Sequence, residues 1–295
     1  MRAKQGHVKV EKYSIVDFGV QFPNEVSCLA HIFKMRFPDG LTCEKCARKD
    51  QFHPIAERRS YVCNCGFHVY PTAGTIFHKS PTPLKIWLFV MYLMGASKNG
   101  VAAKEVERQT GVTYKTAWRM CHQIRALMSE EPAFMTGTVE VDETYVGGKR
   151  KGKRGRGAAG KTAIVAALER GGSVFPVVVE RTDAATVEAV IDLAATKDAK
   201  IVTDEYGSYN GLKAAGYAHD TVNHGSQQWT KGDVHTQNIE GFWSQIKRSI
   251  GGTHHHVSKK HLQAYADEYA FRFNRRRSEV PRFRHLISQF AEKPV

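Results

Sequence analysis

The feature that most constrains the fold is a change of pattern near residue 132. Residues 84–128 carry apolar residues at helical spacing, and after them three strand-like runs follow closely, TVEVDETYV, KTAIVAAL and SVFPVVVE. A helical stretch at 184–196 and a buried strand, AKIVTD, come next, and a further strand is predicted at 221–223. Strands and helices in this order are typical of an α/β fold built on a mixed sheet. Pro132 ends the helical pattern and marks the boundary between the two parts.

The net charge predicts an anionic partner. Among 295 residues, 43 are Lys or Arg and 29 are Asp or Glu, which gives a formal charge of +14. Nucleic acid is the commonest partner of so basic a chain. The longest apolar run, 86–96, is too short to cross a bilayer, and the N-terminus lacks the apolar core of a signal peptide. We therefore expect a cytoplasmic protein that binds DNA or RNA and does not contact a membrane.

Two cysteine pairs predict a metal-binding module near the N-terminus. A CxxC pair is separated by 16 residues from a CxC pair, and two tight pairs can supply the four donors of a tetrahedral zinc ion. The second pair is one residue shorter than usual, so His68 is a spare donor, and free thiols in a reducing cytosol are the alternative. Cys28 and Cys121 stand alone and are expected to be packed thiols. The predicted ligands of a structural zinc are Cys43, Cys46, Cys63 and Cys65.

A helix-turn-helix pattern follows the cysteines. Residues 104–110 have the composition of a helix, Gly111 can end it, and Thr113 can cap a second helix. The second helix would bury Ala117, Met120, Ile124 and Leu127 and expose Tyr114, Lys115 and Arg119. Such a pair of helices can place one helix in the major groove of DNA, although ordinary helix packing produces the same pattern.

A basic segment lies between the first two predicted strands. Residues 149–161, KRKGKRGRGAAGK, contain seven basic residues and no acidic one. We interpret the segment as an arm that binds DNA phosphates, with a solvated loop as the alternative. Its predicted contacts are Lys149, Arg150, Lys151, Lys153, Arg154 and Arg156.

Three acidic residues are candidates for catalysis. Strand alternation places Glu140 and Asp142 on one face of the first strand and Val139, Val141 and Glu143 on the other. Asp204 ends a buried strand, where parallel strands present ligands. Glu240 lies on a helix whose apolar stripe contains Ile239, Phe242, Trp243, Ile246 and Ile250, and Lys247 shares the face of Glu240.

Carboxylates that converge need a cation between them. Two Mg²⁺ ions, or Mn²⁺ in their place, about 4 Å apart would satisfy three acids and suit phosphodiester chemistry. The alternative is that Asp142, Asp204 or Glu240 is simply a solvated acid at the end of an element.

The chain resembles the zinc-ribbon DDE transposases of bacterial insertion sequences, the ISXO-like group. The resemblance covers nearly the whole chain. It rests on CEKC and YVCNCGFHVYPTAGTIF near the front and on VDETYVGGK, TDEYGSY and IEGFWSQIKR in the second half. It implies a ribonuclease-H-like catalytic domain that cuts the ends of a mobile element and joins the freed 3′-ends to target DNA.

The resemblance also implies the roles of the acidic residues. Asp142, Asp204 and Glu240 match the Asp-Asp-acid motif, with Lys247 behind them. Related groups carry Asn as the third member, so Asn238 competes with Glu240. Helical geometry places Asn238 roughly 200° from Glu240, so we favour Glu240 and interpret Asn238 as a capping or supporting residue.

Several basic residues near the end of the chain have alternative roles. His235 is predicted either to orient a carboxylate or phosphate or to be an ordinary loop histidine. Residues 254–256, three adjacent histidines, are expected to lie in a surface loop, because consecutive side chains diverge. The final helix is expected to span 258–276, and Arg275 and Arg276 on it are predicted to face DNA phosphates.

Together the patterns predict three segments and one enzyme. The segments are a lead-in with a zinc ribbon (1–80), a helical DNA-binding segment (81–131) and the catalytic domain (132–295). The predicted function is transposition, with terminal repeats and target DNA as partners, a homodimer in the DNA complex and a location at the bacterial nucleoid. The rivals are a non-catalytic, zinc-dependent DNA-binding regulator and a simple metal-dependent nuclease.

Overall fold

The computed structural model describes residues 11–147, 160–222 and 233–292. These residues form two compact units. The ribbon unit contains the described residues up to 97, residues 103–127 and those from 277 onward. The sheet unit contains 98–102 and the described residues of 128–276. The helical segment and the cysteine pairs therefore lie in one unit, together with the end of the chain.

The helices and strands are numbered in chain order. The helices are α1 (Ile15–Gln21), α2 (Glu25–Arg36), α3 (Leu84–Ala96), α4 (Ala103–Thr110), α5 (Tyr114–Leu127), α6 (Ala184–Ala194), α7 (Gln237–Ser249), α8 (Leu262–Asn274) and α9 (Arg282–Glu292). The strands are β1 (Phe52–Ile55), β2 (Ser60–Cys63), β3 (His68–Val69), β4 (Thr138–Gly147), β5 (Lys161–Glu169), β6 (Val174–Val179), β7 (Lys200–Thr203) and β8 (Ala218–Thr221). Within the part of the chain that is described, no helix is both long enough and apolar enough to cross a membrane.

The core of the ribbon unit is built around the apolar helix α3. Its Trp87 is fully buried and donates its indole N–H to Ser80 Oγ at 3.0 Å. Helix α9 packs on α3, and Gly95 permits this, because a Cβ there would lie 3.0 Å from the backbone of Phe283. The small antiparallel sheet of the ribbon has the order β1-β2-β3.

The sheet unit contains the predicted mixed sheet. The strand order is β6-β5-β4-β7-β8, and β4 is central. On one side, β5 pairs antiparallel with β4, and β6 pairs antiparallel with β5. On the other side, β7 pairs parallel with β4, and β8 pairs parallel with β7. Val139 and Val141 face a core shared with α6. The other face packs on α7 and α8, so the predicted α/β fold and the predicted alternation along β4 are confirmed.

Some predicted boundaries are wrong near the end of the sheet unit. The helix predicted over 258–276 is shorter, because a 3₁₀ turn, Lys259–His261, precedes α8. One π turn, Ile250–His254, follows α7. The last strand was expected near 221–223, but β8 lies three residues earlier, where it continues the parallel register of β7.

Candidate active site and zinc cluster

The four predicted zinc ligands converge in the ribbon unit. Their sulfur atoms all lie within 4.8 Å of one another. Cys43 Sγ is 3.6 Å from Cys65 Sγ, and Cys46 Sγ is 3.6 Å from Cys63 Sγ. Four sulfurs about 2.3 Å from a zinc ion in a tetrahedron would be separated by roughly 3.8 Å. The short CxC pair therefore reaches the cluster, which fits a structural zinc.

His68 is not needed as a spare ligand. Its Nδ1 lies 3.3 Å from Ser60 Oγ, on the strand pair behind the cysteines. The other two cysteines, Cys28 and Cys121, are buried, as expected for packed thiols.

Backbone geometry prepares the cluster for a cation. Tight turns follow each pair, with Ala47 N–H donating to Cys43 O and Gly66 N–H donating to Cys63 O, both at 2.8 Å. Burial opposes ionisation of Cys43, but the N–H groups of Cys46 and Lys45 outweigh it and lower the pKa of the Cys43 thiol to about 7. A thiolate is the form that binds zinc.

Asp142 lies on β4, and Asp204 directly follows the neighbouring parallel strand β7. Glu140 of β4 is paired with Val202 of β7, and Asp142 and Asp204 lie two residues further along the chain from these two. Adjacent strands are about 4.8 Å apart, so this register brings the two carboxylates to one edge of the sheet. Asp204 Oδ1 also accepts the N–H of Tyr206 at 2.9 Å, which fixes the turn after β7.

Helix α7 contacts this edge through Trp243, and the third predicted acid, Glu240, lies one turn before that contact. Trp243 donates its indole N–H to Asp142 Oδ2 at 3.0 Å. Glu240 lies three residues before Trp243, on a neighbouring part of the same helical face. It is exposed, and its Oε1 accepts the hydroxyl of Thr236 at 3.1 Å. Lys247, two turns further, is exposed as well.

The electrostatics of the site favour a cation. Burial, the neighbouring Glu143 and Asp204 together raise the pKa of Asp142 to about 7. The three acids do not form a cluster as tight as the cysteines, which are the single group of three or more potential ligands within 4.8 Å among the described residues. Two ions that share one carboxylate do not require the two outer carboxylates to touch. The donor set therefore fits hard divalent cations.

A second buried acid, Glu140, lies two residues before Asp142 on the same strand. It accepts four hydrogen bonds, from Arg170 Nε at 2.8 Å, Asn238 Nδ2 at 2.7 Å, Asn238 N at 2.9 Å and Ile239 N at 3.0 Å. Asn238 thus contacts Glu140 through both its backbone N–H and its side-chain amide. His235 Nδ1 lies 3.3 Å from Glu140 Oε1.

Glu143 occupies the opposite face of β4. It accepts the hydroxyl of Tyr209 at 2.7 Å, and Tyr209 is fully buried in the core on that side. Burial, Glu143 and Asp142 hold the pKa of Tyr209 well above its usual value. The pair ties the turn that follows Asp204 to the central strand.

Helices α4 and α5 pack on each other and are joined by a short turn, residues 111–113. Gly111 has a positive φ of 71° in the turn between them. Tyr114, Lys115 and Arg119 are exposed on α5. Trp118 is exposed on the same face, with 38% of its surface accessible. The sequence analysis missed it, and the available signal was its spacing, four residues after Tyr114.

The remaining predicted DNA contacts differ in their surroundings. Arg275 pairs with Glu130 and stacks on Phe271, whereas Arg276 is exposed and donates to Gly172 O at 2.9 Å. The ring of His254 packs on Tyr265 at 4.7 Å between centroids. The predicted contacts on the basic segment, Lys149, Arg150, Lys151, Lys153, Arg154 and Arg156, lie outside the described residues.

Two family models match the chain, one over the part that contains the three acids and one over the part that contains the four cysteines. The model described as the ISXO2-like transposase domain matches residues 134–274. The model described as the transposase zinc-ribbon domain matches residues 23–66. The first match contains all three acids and the second contains all four cysteines.

Relatives and a solved structure share parts of the chain. A protein in the transposable element ISH50 of Halobacterium salinarum is 26% identical over 262 residues, which cover 81% of this chain and 87% of the relative. A transposase-like protein of Haemophilus influenzae is 29% identical over 101 residues, 34% of this chain and 80% of the relative. A simian T-cell lymphotropic virus intasome with the PP2A regulatory subunit B56 gamma matches at 12% identity over 63% of this chain and 65% of that chain. Its TM-score of 0.29 is too low to compare the folds.

Proposed function

Because the chain belongs to the ISXO2-like transposase family, we propose that it cuts the phosphodiester at the ends of an insertion sequence and transfers the 3′-OH ends to target DNA. Asp142, Asp204 and Glu240 are the proposed catalytic residues. The observation that supports the proposal is the parallel pairing of Glu140 with Val202, two residues before Asp142 and Asp204, together with the hydrogen bond from Trp243 of α7 to Asp142.

The three acids would hold two Mg²⁺ ions, or Mn²⁺ in their place. Two such ions, when bound, supply charge stabilisation to the scissile phosphate and activate the attacking hydroxyl. Asp142 is central because it neighbours Asp204 in the sheet and α7 through Trp243. Lys247, about 10 Å along α7 from Glu240, would bind a flanking phosphate.

Strand transfer is proposed to occur by direct in-line attack. The site presents carboxylates rather than an activated serine or tyrosine nucleophile. Tyr209 approaches these acids from the other face of β4, but it is fully buried and its pKa is raised by burial, so its hydroxyl is held as a hydrogen-bond donor to Glu143.

The ribbon unit supports binding of the element ends. The cysteine cluster would hold a structural zinc ion, and α5 presents aromatic and basic side chains on one exposed face. These features support recognition of terminal repeats by the ribbon unit and catalysis by the sheet unit. Pairing of two element ends favours a homodimer in the DNA complex.

A strand-transfer assay with terminal-repeat DNA and Mg²⁺ tests the proposal. Asp142→Asn and Asp204→Asn should each lower cleavage at least about a thousand-fold, because each removes charge needed only at the reacting phosphate. DNA binding, measured by gel shift, should be unchanged. Glu188→Gln, in α6 of the same unit, is the matched control and should retain activity.

Other outcomes favour the rival functions. DNA binding without cleavage by the wild-type protein would indicate a regulator. Cleavage without joining would indicate a metal-dependent nuclease. Full activity in Asp142→Asn would refute the proposed role of that carboxylate.

A further inference from the structure

Helix α7 begins without a cap from its own sequence. The side chain of Thr236, at the N-cap position, does not accept a backbone N–H of the first turn. The free N–H groups of Asn238 and Ile239 instead donate to Glu140 Oε2 on β4, at 2.9 and 3.0 Å. A negative charge at this end also interacts favourably with the helix dipole.

The same carboxylate is held from its other side by Arg170. The guanidinium donates to Glu140 Oε1 through Nε and to the carbonyl oxygens of Asp233 and His235 through its terminal nitrogens. Arg170 therefore connects the strand to the chain segment that leads into α7. With Asn238 Nδ2 as a fourth donor, the acceptor sites of Glu140 are filled.

We infer that Glu140 is a positioning residue. It holds the first turn of α7 against β4 and thereby fixes the position of Glu240 relative to Asp142. This inference rests on the proposed function. Glu140 is fully buried and its four hydrogen bonds come from the protein, so it is not a metal ligand. Asp142, two residues along the same face, is left to bind the cations.

The inference assigns Asn238 a role as well. Its side-chain amide donates to Glu140 Oε1 at 2.7 Å, which orients the carboxylate toward the helix end. Asn238 acts on catalysis through Glu140 and the seating of α7. This distinguishes it from a third metal ligand.

The test measures Mn²⁺ affinity by electron paramagnetic resonance, together with the Mg²⁺ dependence of cleavage. Glu140→Gln keeps the size of the side chain but replaces one acceptor oxygen with a donor. Loss of such supporting contacts weakens metal affinity by about 10- to 100-fold, and we expect both measurements to shift by that factor. DNA affinity should be unchanged.

Glu268→Gln is the matched control. Glu268 is also fully buried and pairs with an arginine, Arg272, at 2.8 Å. Loss of this ion pair in Glu268→Gln should lower the thermal stability of the protein without shifting its Mn²⁺ affinity. Wild-type Mn²⁺ affinity in Glu140→Gln, or an equal shift in Glu268→Gln, would overturn the inference.

Asn238 variants keep the inference testable if Glu140→Gln does not fold. Asn238→Ala should weaken Mn²⁺ binding less than Glu140→Gln and should increase amide hydrogen exchange in the first turn of α7. Asn238→Asp should be worse than Asn238→Ala, because it places a second carboxylate against Glu140. A gain in Mn²⁺ affinity in Asn238→Asp would instead identify a metal ligand.

Failure of the inference can be separated from failure of the proposed function. If Asp142→Asn binds Mn²⁺ as the wild type does, the catalytic metal site itself is wrong. If Asp142→Asn loses Mn²⁺ binding and Glu140→Gln does not, the site stands and the positioning role is wrong.

Discussion

The zinc cluster of the ribbon unit and the acidic site of the sheet unit are prepared by the fold to different degrees. The four sulfurs lie within 4.8 Å of one another and form a complete ligand set. The acids remain further apart, Glu240 is exposed, and the pKa of Asp142 is raised by burial, Glu143 and Asp204. One site would close around a single ion, and the other would stay open to substrate.

The difference shows how stability and chemistry are divided between the units. A closed thiolate site exchanges no ligand and contributes to folding. An open carboxylate site carries uncompensated charge, which costs stability until cations and a phosphate arrive. Removal of metal should therefore unfold the ribbon, whereas in the sheet unit it should leave the fold in place at a smaller cost in stability.

Loss of zinc should have the largest effect. Cys43→Ser removes one thiolate, and binding of a structural zinc contributes on the order of 10 kcal/mol to folding of such a module. We expect the zinc content to fall from one ion per chain and hydrogen exchange to increase across β1–β3. Elemental analysis and exchange mass spectrometry measure both.

The matched control for zinc is a buried cysteine outside the cluster. Cys121→Ala should retain one zinc ion per chain. An unchanged zinc content in Cys43→Ser would contradict the assignment of Cys43 as a zinc ligand. The contrast between a closed zinc site and an open acidic site would then no longer hold.

The acidic site predicts a loss of folding stability that depends on pH and is smaller than the effect of losing zinc. The pKa of Asp142 in the folded protein is about 7, against an ordinary value of 3.8. The folded state thus holds a proton that the unfolded state releases, so this group lowers stability as pH rises from about 4 to 7, by up to a few kcal/mol. In EDTA, Asp142→Asn should melt at a higher temperature than the wild type at pH 8 and at an equal one near pH 4.

Magnesium provides the control for that measurement. Added Mg²⁺ should raise the melting temperature of the wild type at pH 8 and leave Asp142→Asn unchanged. If the difference between the two proteins did not depend on pH, the charge at Asp142 would not be the cause.

The smallest expected effect concerns DNA binding by the ribbon unit. Trp118 is exposed beside Lys115 and Arg119, and stacking or apolar contact with DNA is worth about 1–3 kcal/mol per aromatic side chain. Trp118→Ala should weaken terminal-repeat binding about ten-fold or more, without changing zinc content or cleavage at saturating DNA. Fluorescence anisotropy with labelled DNA measures the loss.

An exposed aromatic residue of the other unit serves as the control for Trp118. Phe134 is 69% exposed in the sheet unit, and Phe134→Ala should bind DNA normally. Equal losses in both variants would argue against a separate recognition face on α5.

Local patterns predicted the fold and the ligands well. Alternation along β4 placed Glu140 and Asp142 on one face, and the helical stripe of α7 placed Phe242 and Trp243 in the core, because each depends on neighbours within a few residues. The cysteine cluster was predictable for the same reason, since the Cys43–Cys65 contact spans only 22 residues.

Contacts between distant segments could not be predicted in this way. The bonds between Glu140 and Asn238 span 98 residues, and no spacing in the sequence indicates that a strand residue caps a later helix. The boundaries of β8 and α8 were misplaced because turns before them, not their own composition, set where they begin. Trp118 was missed because helical spacing does not distinguish an exposed aromatic residue from a packed one.

The order in which the two sites are encoded has a consequence for biosynthesis. The zinc ligands leave the ribosome early and close over a short loop, so the ribbon can fold while the rest of the chain is still being made. Glu140 reaches its partners on α7 only after about a hundred further residues. We expect the nascent protein to be able to bind zinc well before its proposed catalytic site is assembled.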